Sequence, residues 1–304
     1  METIVIENQK LRAEVKLHGA ELKSLVRKSD GQELMWEADP AYWGKTSPIL
    51  FPFIGKLEHA AFRHGGKTYE ADKHGFARDM DFTVAQQESD RVIFAIESNE
   101  ATLKKYPFPF RLEVEYQAVD TSLQVKYRVQ NSGKDTMYFS LGGHPAFACP
   151  LIIDGKRTGK RTDGNTIRLY GENHKPLTGE SAKATEINVS IGLLTGDHYE
   201  VKMDNGVIPI VDHIFDKDAL CFAGQGVREV GIADAAGREY IRMEADCPVW
   251  GIWSMPMSDA SYVCIEPWWG ICDTEGYEGT LEERPYTNQV AKGETWQHGF
   301  TLYI

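Results

Sequence analysis

The chain has 304 residues, 42% of them hydrophobic and 26% charged, with a formal net charge of −12, the make-up of a globular protein with a substantial core. That acidic balance speaks against a nucleic-acid surface and against an anionic membrane as partner, because either needs clustered Lys and Arg; a small anionic ligand held by a few local cations remains compatible with it. The N-terminal METIVIENQKL has no basic region followed by a long apolar stretch, and no apolar run approaches the roughly 20 residues of a membrane span. The expectation is therefore neither a signal peptide nor a span. Five cysteines, at 149, 221, 247, 264 and 272, are odd in number and scattered. They read as reduced thiols of a cytoplasmic protein, neither a disulfide frame nor a zinc site.

Along the chain, period-two alternation dominates. TIVIE and RAEVKL come first, and RVIFAIES follows at residues 91–98. NEATLKKY, Asn99 to Tyr106, predicts two helical turns with Asn99 as cap and Pro107 as stop. In FRLEVEYQAV, Phe110, Leu112, Val114, Tyr116 and Ala118 share one face; in TSLQVKYRVQ, Leu123, Val125, Tyr127 and Val129 do the same. With Asp120-Thr121-Ser122 between them, these two runs predict an antiparallel hairpin. MYFSL comes next, and then GKRTGKRTDG at 155–164, which reads as a solvated basic loop because its glycines have no following helix to form a phosphate site. EYIRMEA, VWGIWS, SYVCIE and FTLYI complete the strand-like runs. The expectation is all-β, a single domain over residues 1–304, built as a large antiparallel sandwich or barrel with one or two short helices.

Several chemistries leave no trace in the sequence: there is no G-x-S-x-G elbow, Walker A, H-E-x-x-H or His-x-His pair. AGQGVREVG lacks the third-glycine spacing and βαβ context of a dinucleotide loop. What stands out is polar residues in apolar or aromatic company. KHGFARD carries His74, Arg78 and Asp79. SLGGHPAF presents His144 after two glycines, which allow close backbone approach or unusual dihedrals, and before Pro145, which fixes the chain. In VCIEPWWG, alternation puts Val263 and Ile265 on one face and Cys264 with Glu266 on the other, with Glu266 at the strand end beside Trp268 and Trp269. The bland reading is a salt-bridged glutamate under an indole lid and two satisfied imidazoles. The functional reading is a sugar site, since a pyranose has an apolar face to stack on an indole such as Trp268 and hydroxyls to bond.

Taken in order, SPILFPFIGKL, KHGFARD, KKYPF, GGHPAF and IEPWWG resemble the aldose 1-epimerase, or galactose mutarotase-like, family over nearly the whole chain, and most closely its bacterial branch related to hexose-6-phosphate 1-epimerases. The resemblance implies a β-supersandwich and an isomerase that interconverts the α and β anomers of a hexose without cofactor or metal. It implies Glu266 as general base, His144 as general acid and His74 as a further catalytic histidine. Arg78 matches a sugar-pocket residue, and Asp212 in VDHIF matches a hydroxyl-binding carboxylate. Lys56 stands where the family often has arginine, which keeps the charge and loses the bidentate fork. With reference values near 4.3 for Glu and 6.5 for His, the pair is expected almost poised as carboxylate and imidazolium. The rival readings are a hexose-6-phosphate 1-epimerase using Lys56, Arg78 or the Lys156-Arg157 loop; a non-catalytic sugar sensor on the same fold; and a glycosidase pairing Glu266 with Asp212.

Overall fold

A computed structural model describes residues 2–153 and 159–304 together with the backbone of 156–157. The side chains of Lys156 and Arg157, one of the expected phosphate-holding elements, lie outside the described residues.

The predicted hairpin is the spine of the larger sheet. Phe110–Val119 and Ser122–Asn131 pair antiparallel in continuous register from Phe110↔Asn131 to Val119↔Ser122, with Leu112, Val114, Leu123, Val125 and Val129 buried and the charged alternates half-buried on the other face, except Glu115, which is buried between Arg91 and Arg128. Arg91–Glu97 and Thr83–Gln87 extend it on one side. On the other side Thr295–Tyr303 joins Ser122–Asn131 to Glu239–Ala245, and through it to Glu229–Ala233, Thr166–Tyr170 and Val207–Pro209. The result is a nine-stranded antiparallel sheet. The predicted helix is present as Glu100–Lys105, with Asn99 and Thr102 forming a reciprocal capping box.

A second, eight-stranded sheet carries Leu193–Lys202, Ser181–Asn188, Leu220–Ala223, Val249–Trp253, Tyr262–Trp269, Leu141–Gly143 and Ile49–Leu50 in that spatial order, with Ala146–Ala148 also paired to Tyr262–Trp269. It packs on the first sheet through an apolar core that includes Phe51, Phe110, Phe139, Tyr127, Ile265 and Phe300. A smaller four-stranded sheet is formed by Thr3–Glu7, Leu11–Lys16, Leu22–Arg27 and Gln32–Glu33. The all-β, antiparallel expectation is met.

The glycines of GGHPAF serve close approach alone. A Cβ on Gly142 would stand 2.9 Å from Trp268 Cδ1, and one on Gly143 would stand 3.0 Å from Phe300 Cε1 and from the Tyr127 hydroxyl. Both residues form a short extended strand, Leu141–Gly143, so the unusual dihedrals allowed for on sequence grounds are not used. The two bare backbones let this strand lie between the indole of one neighbour and the core aromatics of the other sheet.

Candidate active site

Strand register brings the histidine to the glutamate. Leu141–Gly143 and Ala146–Ala148 both pair with Tyr262–Trp269, through Gly142↔Trp268 and Ala146↔Cys264. The same antiparallel register, carried across the gap, sets His144 opposite Glu266. Pro145 interrupts the ladder on the donor side, yet its carbonyl accepts from Ile265 N at 3.1 Å, so the histidine is held between two anchored segments. His144 Nε2 lies 3.3 Å from Glu266 Oε1. Glu266 sits inside the strand and not at its end, because Tyr262–Trp269 runs on through Pro267 to the second tryptophan; the backbone pairing of Trp250 with Pro267 continues the sheet past the point where a proline suggested it would stop.

Glu266 is 2% exposed and His144 is 8% exposed. Glu266 Oε2 accepts from Trp268 Nε1 at 3.2 Å, while His144 Nδ1 is buried with no hydrogen-bond partner among the described residues. Trp43 stacks on the His144 ring at 4.8 Å between centroids, and Trp253 meets it edge-on at 5.7 Å. Burial pushes the Glu266 carboxyl well above its ordinary range and pushes His144 down to about 3, with the Lys73 and Arg78 charges adding to the latter. This departs from the expected near-poised ion pair, because desolvation outweighs every neighbouring charge. Burial thus disfavours the ion pair and favours the neutral forms, carboxyl and imidazole.

His74 is clamped from behind. Its backbone N–H donates to Gly55 O at 2.8 Å, its carbonyl accepts from Phe51 N at 3.3 Å, and its Nδ1 accepts from Gly55 N at 3.0 Å. The residue adopts φ of 66°, a left-handed conformation uncommon for a side chain of this size. A backbone N–H can only donate, so Nδ1 is the unprotonated nitrogen and Nε2 carries the hydrogen. Burial, then the neighbouring His144, Lys73 and Arg78, keep this imidazole neutral by lowering its pKa well below the usual value. The His74 and His144 rings meet edge-on with centroids 5.9 Å apart.

These side chains open onto a cavity of about 170 Å³ whose lining includes His74, His144, Glu266, Trp268, Arg78 and Lys73. Five of the seven expected residues therefore converge. Lys56 does not line the cavity; it is exposed, and its side-chain stem covers Gly192 at the rim. Asp212 is exposed and lines a different cavity, with Lys160, Arg161 and His213, so the Glu266–Asp212 pair that a glycosidase would require is not assembled. Besides Glu266, the carboxylate that lines the His74–His144 cavity is Asp218, six positions beyond Asp212 along the same loop.

Sequence reasoning also missed Trp43, Lys73 and Trp253 as cavity residues. Trp253 was reachable, since alternation in VWGIWS and the pairing Trp253↔Cys264 put it on the face of Glu266. Trp43 sits in a loop without periodicity, where its carbonyl accepts from Trp36 Nε1 at 2.9 Å. The segment after Trp253 is fixed by Arg161, which donates to Ser254 Oγ at 2.6 Å and to the carbonyls of Ser258 and Ala260 at 2.8 and 2.9 Å.

Comparison with known proteins agrees with this geometry. The sequence pattern of the Aldose 1-epimerase family matches residues 2–303, so the chain belongs to that family. Two LacX proteins of Lactococcus lactis subsp. lactis, one chromosomal and one plasmid-borne, are 27% identical to it over 310 residues, with 99% of each chain covered. A galactose mutarotase-like protein from Lactobacillus casei ATCC 334 superposes with a TM-score of 0.88 at 30% identity, covering 99% of both chains. A galactose mutarotase related enzyme from Lactobacillus acidophilus superposes with a TM-score of 0.86 at 29% identity, covering 99% of this chain and 97% of that one. The architecture is the galactose mutarotase-like β-sandwich. Among the described residues no helix is long and apolar enough to cross a membrane.

Proposed function

We propose that the protein is an aldose 1-epimerase that interconverts the α and β anomers of a hexose by opening and reclosing the pyranose ring. The observation that carries this reading is the pairing of a carboxyl with an imidazole: Glu266 Oε1 and His144 Nε2 stand 3.3 Å apart, buried, at the wall of a cavity lined by a second histidine and an indole.

Ring opening removes a proton from the C1 hydroxyl and delivers one to the ring oxygen. A proton first passes from the Glu266 carboxyl to His144 Nε2 across their 3.3 Å contact; Glu266 then takes the C1 proton and His144 supplies the one for the ring oxygen, so the pair returns from carboxylate and imidazolium to carboxyl and imidazole while the sugar becomes an open-chain aldehyde. No net charge enters or leaves the site. The aldehyde turns by half a rotation about C1–C2, and closure on its other face reverses both transfers. Trp268 holds one Glu266 oxygen and leaves the other toward His144. The Nε2–H of His74 is the donor suited to the oxygen on which charge develops. Asp218 is the carboxylate placed to accept from sugar hydroxyls.

Lys73 and Arg78 on the cavity wall favour one variant of this reading, a hexose carrying a 6-phosphate. The test is optical rotation of freshly dissolved α-glucose with and without the protein, repeated with glucose 6-phosphate as competitor. Faster decay toward equilibrium rotation supports the epimerase; a rate equal to the buffer background removes it. Inhibition by the phosphate ester that is lost in Lys73→Ala assigns the phosphorylated substrate.

A further inference from the structure

Directly beneath the proposed proton-transfer pair lies a thiol that acid–base chemistry does not use. Cys264 shares a strand face with Glu266, two positions away on Tyr262–Trp269, and is paired to Ala146, two positions from His144. One ligand atom from each of His144, Cys264 and Glu266 falls within a sphere where all separations are under 4.8 Å, and all three residues are buried.

We propose that His144, Cys264 and Glu266 form an inhibitory binding site for a thiophilic divalent metal ion, of which zinc is the best match. The geometry and the donor set carry it. The 3.3 Å between His144 Nε2 and Glu266 Oε1 is the spacing of two ligands that each sit about 2.0–2.1 Å from one tetrahedral zinc. A divalent ion also closes the local charge balance. Thiolate, carboxylate and neutral imidazole together carry two negative charges, which a divalent ion neutralises, and that is the condition for burying an ion at tolerable cost. Two of the three ligands, His144 and Glu266, line the cavity, which gives an ion its route to the site.

The surroundings distinguish this site from a resident metal centre. A histidine that serves as a permanent ligand ordinarily donates its second ring N–H to a carboxylate or carbonyl; His144 Nδ1 has no such partner among the described residues. The ion therefore binds reversibly and competes with sugar. Its inhibitory effect rests on the epimerase reading above; its binding does not.

The experiment titrates the purified full chain with Co²⁺, which follows zinc in ligand preference and reports thiolate ligation by a near-ultraviolet charge-transfer band. One equivalent should raise the band, Zn²⁺ should abolish it by displacement, and Cys264→Ser should lack it while its zinc midpoint rises about tenfold or more. No band in the unsubstituted protein overturns the proposal, and so does a band that persists in Cys264→Ser, since the metal then sits on another of the buried thiols. If Cys264→Ser does not fold, Glu266→Gln serves, and an unchanged Co²⁺ affinity there is equally decisive against the site. In parallel, rotation assays with zinc and with chelator read the inhibition. Absence of any epimerase rate in chelator refutes the enzyme reading and leaves the band to judge the metal site by itself.

Discussion

The indole of Trp268 reaches Glu266 across the bare backbone of Gly251. Trp268 Nε1 donates to Glu266 Oε2 at 3.2 Å, and a Cβ on Gly251 would stand 2.5 Å from Trp268 Cζ2. Gly251 is also the register partner of Glu266. The smallest residue on one strand thus decides how the carboxylate on the next is held. Gly251→Ala should lower Tm by an amount equivalent to about 1–3 kcal/mol of overpacking, and it should lower kcat more than it raises KM, because it displaces the indole that orients the acid. Unchanged turnover in a destabilised Gly251→Ala protein would show that the Trp268 bond does not matter to the chemistry.

Glu266→Gln retains shape and loses the proton acceptor. Turnover should fall about a hundredfold or more, while sugar binding, followed by tryptophan fluorescence or calorimetry, stays measurable. His144→Ala should behave in the same way. If His144→Ala alters KM alone, the imidazole is a binding group and proton delivery to the ring oxygen must come from elsewhere.

Asp218 and Asp212 make a matched pair of tests, since only the first lines the cavity. Asp218→Asn should raise KM about tenfold or more, the scale of a hydrogen bond to a charged group. Asp212→Asn should leave both kinetic constants within twofold of the parent, a control on the order of experimental scatter for a surface substitution. The reverse pattern would restore Asp212 as the sugar ligand.

Glu21 ties the loop carrying Trp43 and Pro48 to the small sheet. Its Oε1 accepts from Thr46 N at 2.6 Å, Thr46 Oγ1 at 3.0 Å and Ser47 N at 3.0 Å, and its Oε2 accepts from Lys16 Nζ at 2.8 Å. Burial alone would raise its carboxyl, but Lys16 and the Thr46 and Ser47 amides prevail and hold the pKa below the ordinary value. A depressed folded-state pKa contributes stability that is present above the unfolded value near 4.3–4.5 and is lost as pH falls through the folded one. The Tm difference between the parent and Glu21→Gln should accordingly be largest near neutrality and shrink below about pH 4. A difference independent of pH from 7 to 3 would exclude the ionised carboxylate as its source.

How much of this was legible in the sequence depends on whether a signal was local. The hairpin Phe110–Val119 with Ser122–Asn131 and the helix capped by Asn99 are set by alternation and capping chemistry within a few residues, and both are present. The convergence of His74, His144 and Glu266 could be inferred only through a resemblance, because it depends on pairings between distant strands. Glu229–Ala233, which begins in AGQGVREVG and runs two residues past it, is a fully buried strand of the larger sheet; with both faces covered it shows no alternation to detect. Asp212 is singled out by the resemblance of VDHIF alone, and nothing in a loop without periodicity distinguishes two aspartates six residues apart. Desolvation of the Glu266–His144 pair is a property of the packed interior and has no trace in the order of residues.

Thr295–Tyr303 occupies the middle of the nine-stranded sheet, flanked by Ser122–Asn131 and Glu239–Ala245. Arg128 and Gln297, bonded at 2.9 Å across this junction, are 169 positions apart. On the ribosome, the meander from Thr83 to Asn131 and the strands up to Ala245 must wait with two unpaired edges until residue 303 emerges. Closure of the sheet is thus a late, slow event of high contact order, and a nascent chain halted before Thr295 presents adhesive strand borders to chaperones and to its neighbours.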